Sequence, residues 1–130
     1  MERVVIEGVV ESGRRLGREL GFPTANLAVS EDLPLTDGVY RSRVELDGRW
    51  YDAMSNLGCN PSVGGSERRL ETHVFDLSES LYGRRLRVEL VEKIREERRF
   101  ATVEELREQI VRDREQIRKL IAAGEAVKED

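Results

Sequence analysis

The sequence has few of the residues that most often build cross-linked or reactive sites. Among its 130 residues it contains one cysteine, Cys59, and one histidine, His73. A single cysteine excludes an internal disulfide framework and fits a reducing compartment. A single histidine provides no pair of imidazoles for zinc, and any hydrolytic triad would have to be built around it. Chemistry in this chain must therefore rely on carboxylates, hydroxyls, amides and arginines.

Long apolar runs and an excess of positive charge are also missing. No stretch approaches the roughly twenty apolar residues that span a bilayer. Acidic residues interrupt the short apolar N-terminus, which therefore lacks the profile of a signal peptide. The net charge is −4, whereas binding along a nucleic-acid backbone needs a clustered basic excess. We therefore predict a cytoplasmic protein with no membrane and no nucleic-acid partner.

Strand-like segments fill most of the chain, and its length suits a single domain with one core. The turn residues Asp47-Gly48 predict a hairpin. Alternating or β-branched patterns predict strands over 4–10, 38–46, 49–56, 70–77 and 84–95. Because closure removes unpaired edges, such strands favour a small antiparallel barrel.

One helix is predicted after the strands. Thr102 and Glu105 have the spacing of a capping box, and apolar residues from Val103 to Ile121 repeat at helical spacing. Gly124 fits a C-cap. We therefore expect one ordered unit over 1–124 and a disordered tail over 125–130. The predicted fold class is mainly β with a C-terminal α-helix.

The most informative segment runs from Gly17 to Asn26 and reads Gly-Arg-Glu-Leu-Gly-Phe-Pro-Thr-Ala-Asn. Glycine lets backbone amides approach a ligand, and Pro23 fixes the approach to Thr24. A hydroxyl with a carboxamide suits a hydrated magnesium–phosphate group. The same residue types also form ordinary turns, and an ordinary turn is the favoured interpretation when the segment is considered alone. It lacks the spacing of a P-loop, and the chain has no Gly-x-Ser-x-Gly.

Four further motifs follow in order along the chain. They are Asn56-Leu57-Gly58-Cys59-Asn60-Pro61, Glu71-Thr72-His73, Leu81-Tyr82-Gly83 and Arg95-Glu96-Glu97-Arg98-Arg99-Phe100. Together with Gly-Phe-Pro-Thr-Ala-Asn they resemble the riboflavin kinase (flavokinase) family, from about Gly8 to the C-terminal helix. Two features depart from the family pattern: Ser62 stands where Thr or Tyr is usual, and the loop over 63–69 is short and glycine-rich.

The resemblance implies a six-stranded antiparallel Greek-key barrel with a C-terminal α-helix. It implies an ATP:riboflavin 5′-phosphotransferase that produces flavin mononucleotide (FMN) and ADP. In this family Glu71 would accept the proton of the riboflavin 5′-hydroxyl, while Thr24 and Asn26 would hold Mg2+ and the nucleotide phosphates. The loop residues expected to cover those phosphates are Gly13, Gly17, Arg18 and Gly21.

The flavin ring needs an apolar, partly aromatic slot, for which the candidates are Tyr82, Arg95 and Phe100. Tyr82-Gly83 also fits an ordinary turn, and the arginines after residue 94 also fit a solvated, salt-bridged surface.

Glu71 and His73 share one face of their strand, which we expect to look into the barrel or its mouth. The residues alone favour a surface carboxylate for Glu71, and the family resemblance favours catalysis. We assign His73 to packing or orientation.

The alternative is a non-catalytic flavin- or nucleotide-binding β-barrel module, which would not need Glu71. The presence of Thr24, Asn26 and Glu71 together favours the enzyme. An oligonucleotide-binding barrel is disfavoured by the charge and by the few aromatics. Bacterial members of the family are often fused to a domain that converts FMN to FAD. Because one barrel and one helix account for the chain, we expect no FAD synthetase domain. We also expect a monomer.

Overall fold

The computed structural model describes residues 3–12, 20–62 and 65–129. The chain divides into two compact units, Met1–Glu97 and Arg98–Asp130. In the described residues the first unit holds six strands and the second holds one helix. The elements are β1 (Val4–Val9), β2 (Ala25–Ala28), β3 (Gly38–Leu46), β4 (Arg49–Ser62), β5 (Gly65–Val74), β6 (Arg85–Glu96) and α1 (Val103–Glu129).

The strands form one antiparallel sheet in the order β1-β6-β3-β4-β5-β2. The two ends of this order meet where Glu11, just beyond β1, bridges to Asn26 in β2. The Glu11 N–H donates to the Asn26 carbonyl at 2.8 Å. This contact brings the sheet to a nearly closed barrel. The predicted mainly β barrel with a C-terminal helix is confirmed.

The β3–β4 hairpin follows its sequence pattern. Asp47 and Gly48 have φ values of 53° and 77°, as a two-residue turn that matches the twist of its strands requires. One face of β3 is buried as the alternation predicts, namely Tyr40, Ser42, Val44 and Leu46. Alternation is decisive here because every inward position is neutral and the intervening positions Arg41, Arg43 and Glu45 are charged.

Other strand bounds differ from the prediction. β4 continues to Ser62, where the pattern predicted an end at Asn56, and β5 covers Gly65–Val74 instead of 70–77. The glycine-rich stretch is therefore largely strand, because β4 and β5 pair through to Ser62 and Gly65. No strand was predicted over the residues of β2, since four residues are too few to show alternation.

The barrel interior contains a chain of three hydroxyls within an apolar core. The Ser42 and Ser55 hydroxyls are 2.8 Å apart, and the Ser55 and Thr72 hydroxyls are 2.7 Å apart. All three residues are at most 1% exposed. They lie on β3, β4 and β5, so the hydrogen bonds link three neighbouring strands through the interior. The apolar residues around them include Leu27, Val44, Leu57, Leu70, Leu86, Val88 and Leu90.

The helix α1 begins at the predicted capping box. The Glu105 N–H donates to Thr102 Oγ1 at 3.1 Å, and Glu105 Oε2 accepts from the Ala101 N–H at 3.2 Å. The helix continues past Gly124 to Glu129, so the prediction that Gly124 ends it is wrong. A glycine inside a helix costs only about 1 kcal/mol, which does not stop it. The disordered tail over 125–130 stays a prediction. Among the described residues, no helix combines the length and apolar character needed to cross a membrane.

The hydroxyl chain predicts a characteristic set of stabilities. Ser55→Ala should lower the free energy of unfolding by about 1–3 kcal/mol, because Ser42 and Thr72 lose the partner they share. The triple variant S42A/S55A/T72V should recover most of this loss, since none of the three polar groups then remains buried. Urea unfolding measures both values. Equal losses in the single and triple variants would contradict this explanation.

Candidate functional site

The segment from Gly21 to Asn26 leads directly into β2. Gly21 has a φ of 88°, a conformation that favours glycine. Phe22 is 4% exposed, and Ala25 is the first residue of β2 to pair, opposite Thr72 of β5. Thr24 is therefore exposed between a proline and the first paired residue of a strand.

A cleft of about 410 Å³ opens beside this segment. Its volume is within the range of small-molecule sites, roughly 300–1,000 Å³. The wall mixes polar and apolar groups. It consists of residues 10–12, Pro23, Thr24, Ala25, Asn26, Thr72, Val74 and residues 77–82. The structure therefore brings Thr24 and Asn26 together on one cleft, as the sequence predicted.

Asn26 carries an unused acceptor at this cleft. The side chain is 96% buried, with 4% exposed, and its Nδ2 donates to the Ser12 carbonyl at 3.3 Å. Because a carbonyl only accepts, this contact fixes which side of the amide is oxygen. No described residue donates to Asn26 Oδ1. Because a buried acceptor without a partner is costly, Asn26 Oδ1 is a candidate ligand for a bound group.

The donor set fits Mg2+. A carboxamide oxygen and the Thr24 hydroxyl are oxygen ligands of the kind that Mg2+ accepts. In residues 3–12, 20–62 and 65–129 no group of three His, Cys, Asp or Glu side chains could hold a metal. This is no objection to Mg2+, because that ion usually keeps several waters and binds phosphate oxygens of a substrate.

Glu71 lies beside Asn26 in the sheet. The two are partners in the β2–β5 register, and Asn56 of β4 is the partner of Glu71 on its other side. Directly opposed residues point to the same side of a sheet, with Cβ atoms roughly 5 Å apart. The half-buried Glu71 therefore lies between two asparagines in the sheet. Sequence reasoning gave Asn56 no role, because the pairing of β4 with β5 could not be derived from its motif.

We expected Glu71 and His73 to look into the barrel or its mouth, and the first of these alternatives is wrong. The inward side of β5 is the other one, with Leu70, Thr72 and Val74 buried. Alternation defines two faces without saying which is inside, and Thr72 makes the inward face partly polar. The neighbouring strands decide the matter, because Leu70 opposes the buried Leu57 and Leu27.

His73 lies between two aromatic rings. Its ring centroid is 5.4 Å from that of Phe22 and 5.7 Å from that of Phe75, both in edge geometries. Its Nδ1 is 2.9 Å from the Pro23 carbonyl oxygen. The expected roles of packing and orientation both have specific contacts in the structure.

One arginine near the cleft is already neutralised. Arg69 Nη1 donates to Glu11 at 3.1 Å and pairs also with Glu67. The hydrogen bonds from Arg69 to Glu11 and then to Glu67 raise the pKa of this guanidinium. Arg69 therefore anchors the Glu11 side chain at the cleft rim, and its charge is not available for a phosphate.

The residues assigned to the flavin belong to different elements of the chain. Tyr82 is 69% exposed and lines the cleft of Thr24 and Asn26. Arg95 lies in β6, where its Nη1 donates to the Glu96 carbonyl at 3.1 Å. Phe100 belongs to the second unit, with the Arg98 guanidinium 5.1 Å from its ring centroid. A flavin role for Arg95 and Phe100 stays a prediction.

The expected phosphate loop is largely untested. Gly13, Gly17 and Arg18 lie outside the described residues, and their roles stay predictions. Sequence reasoning gave no role to several polar residues of the cleft wall, because isolated serines and glutamates have no distinctive spacing. These are Glu11, Ser12, Ser78, Glu79 and Ser80. Thr72, which also lines the cleft, stood in a motif but received no role there.

Comparison with known proteins gives matches over most of the chain. A family model described as "Flavokinase: Riboflavin kinase" matches residues 1–121. The chain is 42% identical over 109 residues to the bifunctional riboflavin kinase/FMN adenylyltransferase of Escherichia coli (strain K12), covering 83% of this chain and 35% of that protein. It is 39% identical over 110 residues to the RNA-binding riboflavin kinase RibR of Bacillus subtilis (strain 168), covering 84% and 47%.

The chain thus spans about a third of the length of the Escherichia coli relative. Among solved structures, the crystal structure of a macrolide-efflux protein from Streptococcus pneumoniae is similar, with a TM-score of 0.78 and 34% identity. This match covers 88% of the present chain and 38% of the other.

The unused Asn26 acceptor leads to a test that separates stability from ligand binding. Asn26→Leu should change the free energy of unfolding by less than about 1 kcal/mol, because losing the bond to Ser12 is offset by removing the unpaired Oδ1. The same variant should lose most of the stabilisation that Mg2+ and ADP together give the wild type. Thermal unfolding with and without Mg2+ and ADP measures both effects. An undiminished ligand-dependent shift would show that Oδ1 holds nothing.

Proposed function

We propose that this chain, which belongs to the riboflavin kinase (flavokinase) family, transfers the γ-phosphoryl group of ATP to the 5′-hydroxyl of riboflavin. The products are FMN and ADP. The family membership predicted from the five motifs is confirmed by the match over residues 1–121. The observation that carries the proposal is the β2–β5 register, which sets Glu71 opposite Asn26. Asn26 lines the same cleft as Thr24, and its Oδ1 accepts from no described residue.

The phosphates and the ion belong at Thr24 and Asn26 in this proposal. Mg2+ would neutralise the charge on the transferring phosphoryl group. The protein's task is to present two oxygen ligands in a fixed orientation. The Ser12 carbonyl orients the Asn26 amide, and the pairing of Ala25 with Thr72 holds the residue after Thr24. Positioning of this kind supplies much of the catalysis in phosphoryl transfer, which needs little covalent participation from the protein.

Glu71 acts as the general base. It accepts the proton of the riboflavin 5′-hydroxyl as that oxygen bonds to the γ-phosphorus, while the bond from phosphorus to the β,γ-bridging oxygen breaks and ADP leaves. Its place beside Asn26 and Asn56 supports this role, because the acceptor hydroxyl must reach both the base and the bound phosphates. Glu71 is absent from the cleft wall, so we place riboflavin outside the cleft, on the outward side of β5.

Tyr82 serves the nucleotide in this arrangement. It shares the cleft with Thr24 and Asn26, and the apolar residues Val74, Leu77 and Leu81 line the same wall. An apolar wall with one exposed aromatic ring suits a purine base. We therefore assign Tyr82 to the adenosine of ATP, in place of the flavin role expected from the sequence.

A flavin- or nucleotide-binding module without catalysis would use the same cleft and would not depend on Glu71. A cytoplasmic location, a monomeric state and the absence of a nucleic-acid partner stay predictions. The predicted absence of a nucleic-acid partner is worth testing directly, because one relative is named an RNA-binding riboflavin kinase.

Glu71→Gln distinguishes the enzyme from the binding module. It keeps the shape of the side chain and removes the base, so kcat should fall about 10²- to 10⁴-fold. The KM values for ATP and riboflavin should stay within about threefold, since binding is retained. Chromatographic separation of FMN from riboflavin measures turnover. Glu45→Gln, a carboxylate on the outward side of β3, is the matched control and should be silent. Near-normal turnover of Glu71→Gln would end the base assignment.

Tyr82→Ala tests the reassignment of the tyrosine. The KM for ATP should rise about tenfold, which corresponds to about 1.4 kcal/mol of lost contact. The KM for riboflavin should stay within about twofold of the wild-type value, because the substitution does not change the contacts that bind riboflavin. Tyr82→Phe keeps the ring and should behave as the wild type. A rise confined to the KM for riboflavin would return Tyr82 to the flavin site.

A further inference from the structure

The single histidine contacts the backbone that carries Thr24. His73 Nδ1 lies 2.9 Å from the Pro23 carbonyl oxygen. Because a carbonyl oxygen only accepts, Nδ1 carries the hydrogen and donates it. His73 is two residues beyond Glu71 and lies on the same side of β5. The strand that carries the proposed base therefore also holds the residue before Thr24.

The hydrogen bond acts on the torsion that sets the direction of Thr24. The ring of Pro23 locks φ at about −65°, and the peptide bond to Thr24 is planar. The ψ torsion is thus the one backbone torsion of Pro23 that can still rotate freely. Rotation about ψ moves the Pro23 oxygen together with the Thr24 nitrogen. A donor on that oxygen fixes the peptide plane, and Ala25 is fixed on the far side by its pairing with Thr72.

The imidazole is itself held by rigid neighbours. The interplanar angles are 77° with Phe22 and 60° with Phe75, and edge contacts of this kind are favourable between aromatic rings. Both phenylalanines are at most 4% exposed, so they cannot turn aside without opening buried contacts. Phe22 also belongs to the segment that His73 orients, so the ring packs on residue 22 and donates to residue 23.

We propose that His73 is a positioning residue for the nucleotide site. Its Nδ1–H sets the Pro23–Thr24 peptide plane and so orients the Thr24 hydroxyl toward the Mg2+–nucleotide. This inference rests on the proposed function, because it requires Thr24 to hold that ligand. It assigns His73 an effect on the ATP side of the reaction and none on riboflavin. The constants that His73 influences are therefore the KM for ATP and the affinity for MgADP.

Asn and Leu at position 73 form a matched pair for the test. The two side chains have the same shape, and the Asn amide nitrogen takes approximately the place of the imidazole Nδ1. H73N can donate to the Pro23 oxygen and H73L cannot. Both variants lose the ring contacts with Phe22 and Phe75, so the difference between them reports the capacity of residue 73 to donate a hydrogen bond. Steady-state kinetics with FMN detection, calorimetric binding of MgADP and thermal unfolding are measured on both.

H73L should raise the KM for ATP and the Kd of MgADP about five- to tenfold, the effect of one neutral hydrogen bond. H73N should stay within about threefold of the wild type, and the KM for riboflavin should be unchanged in both. Equal MgADP affinities in H73N and H73L would overturn the proposal, as would a loss confined to kcat. If H73L does not fold, H73Q replaces it. The Gln amide nitrogen takes the place of Nε2 and not of Nδ1, so H73Q also lacks the donor to the Pro23 oxygen.

The MgADP measurement separates this proposal from the kinase function. Wild-type protein that binds MgADP and forms no FMN would refute the proposed activity, while the comparison of H73N with H73L would still decide the role of His73. Wild-type protein that binds no MgADP would refute both. If the KM for ATP rises as the melting temperature falls, and does so to the same extent in H73N and H73L, the role of His73 is packing alone.

Discussion

The antiparallel pairing of β2 with β5 is the constraint on which the candidate site depends. β2 has only four residues, and its register with β5 places Asn26 opposite Glu71 and Ala25 opposite Thr72. The same short strand receives the bridge from Glu11 that brings the barrel toward closure. A shift of one residue would turn Asn26 away from Glu71, because side chains alternate between the two sides of a strand. Fold closure and site assembly therefore rest on one set of hydrogen bonds.

The inward face of β5 is what makes this register secure. Leu70 and Val74 are buried in the core, and Thr72 joins the hydroxyl chain that continues through Ser55 to Ser42. Slipping β5 by one position would bury Glu71 and expose these residues, at the cost of a desolvated carboxylate and of broken interior hydrogen bonds. The outward face can therefore carry polar groups that contribute little to stability, such as Glu71.

Sequence reasoning succeeded for features fixed by residues close together in the chain and failed for those that depend on distant strands. The hairpin at Asp47-Gly48 and the helix start at Thr102 were predicted correctly, because turn conformation and capping are fixed by residues close together in the chain. The inward face of β5 was not, because it depends on β2 and β4. The motifs identified Thr24, Asn26 and Glu71 as candidates, whereas the placement of Tyr82 on the same cleft as Thr24 and Asn26 required the fold.

The site is organised by backbone carbonyls more than by reactive side chains. The Ser12 carbonyl orients the Asn26 amide, and the Pro23 carbonyl receives the His73 imidazole. Each contact joins a side chain to a segment that is distant in sequence, so the orientation of the proposed ligands depends on closure of the barrel. This arrangement is compatible with the proposed phosphoryl transfer in a chain with one histidine and no described acidic cluster. The reaction needs few groups but demands that they be held in place before the substrates arrive, since positioning and charge neutralisation supply most of its catalysis.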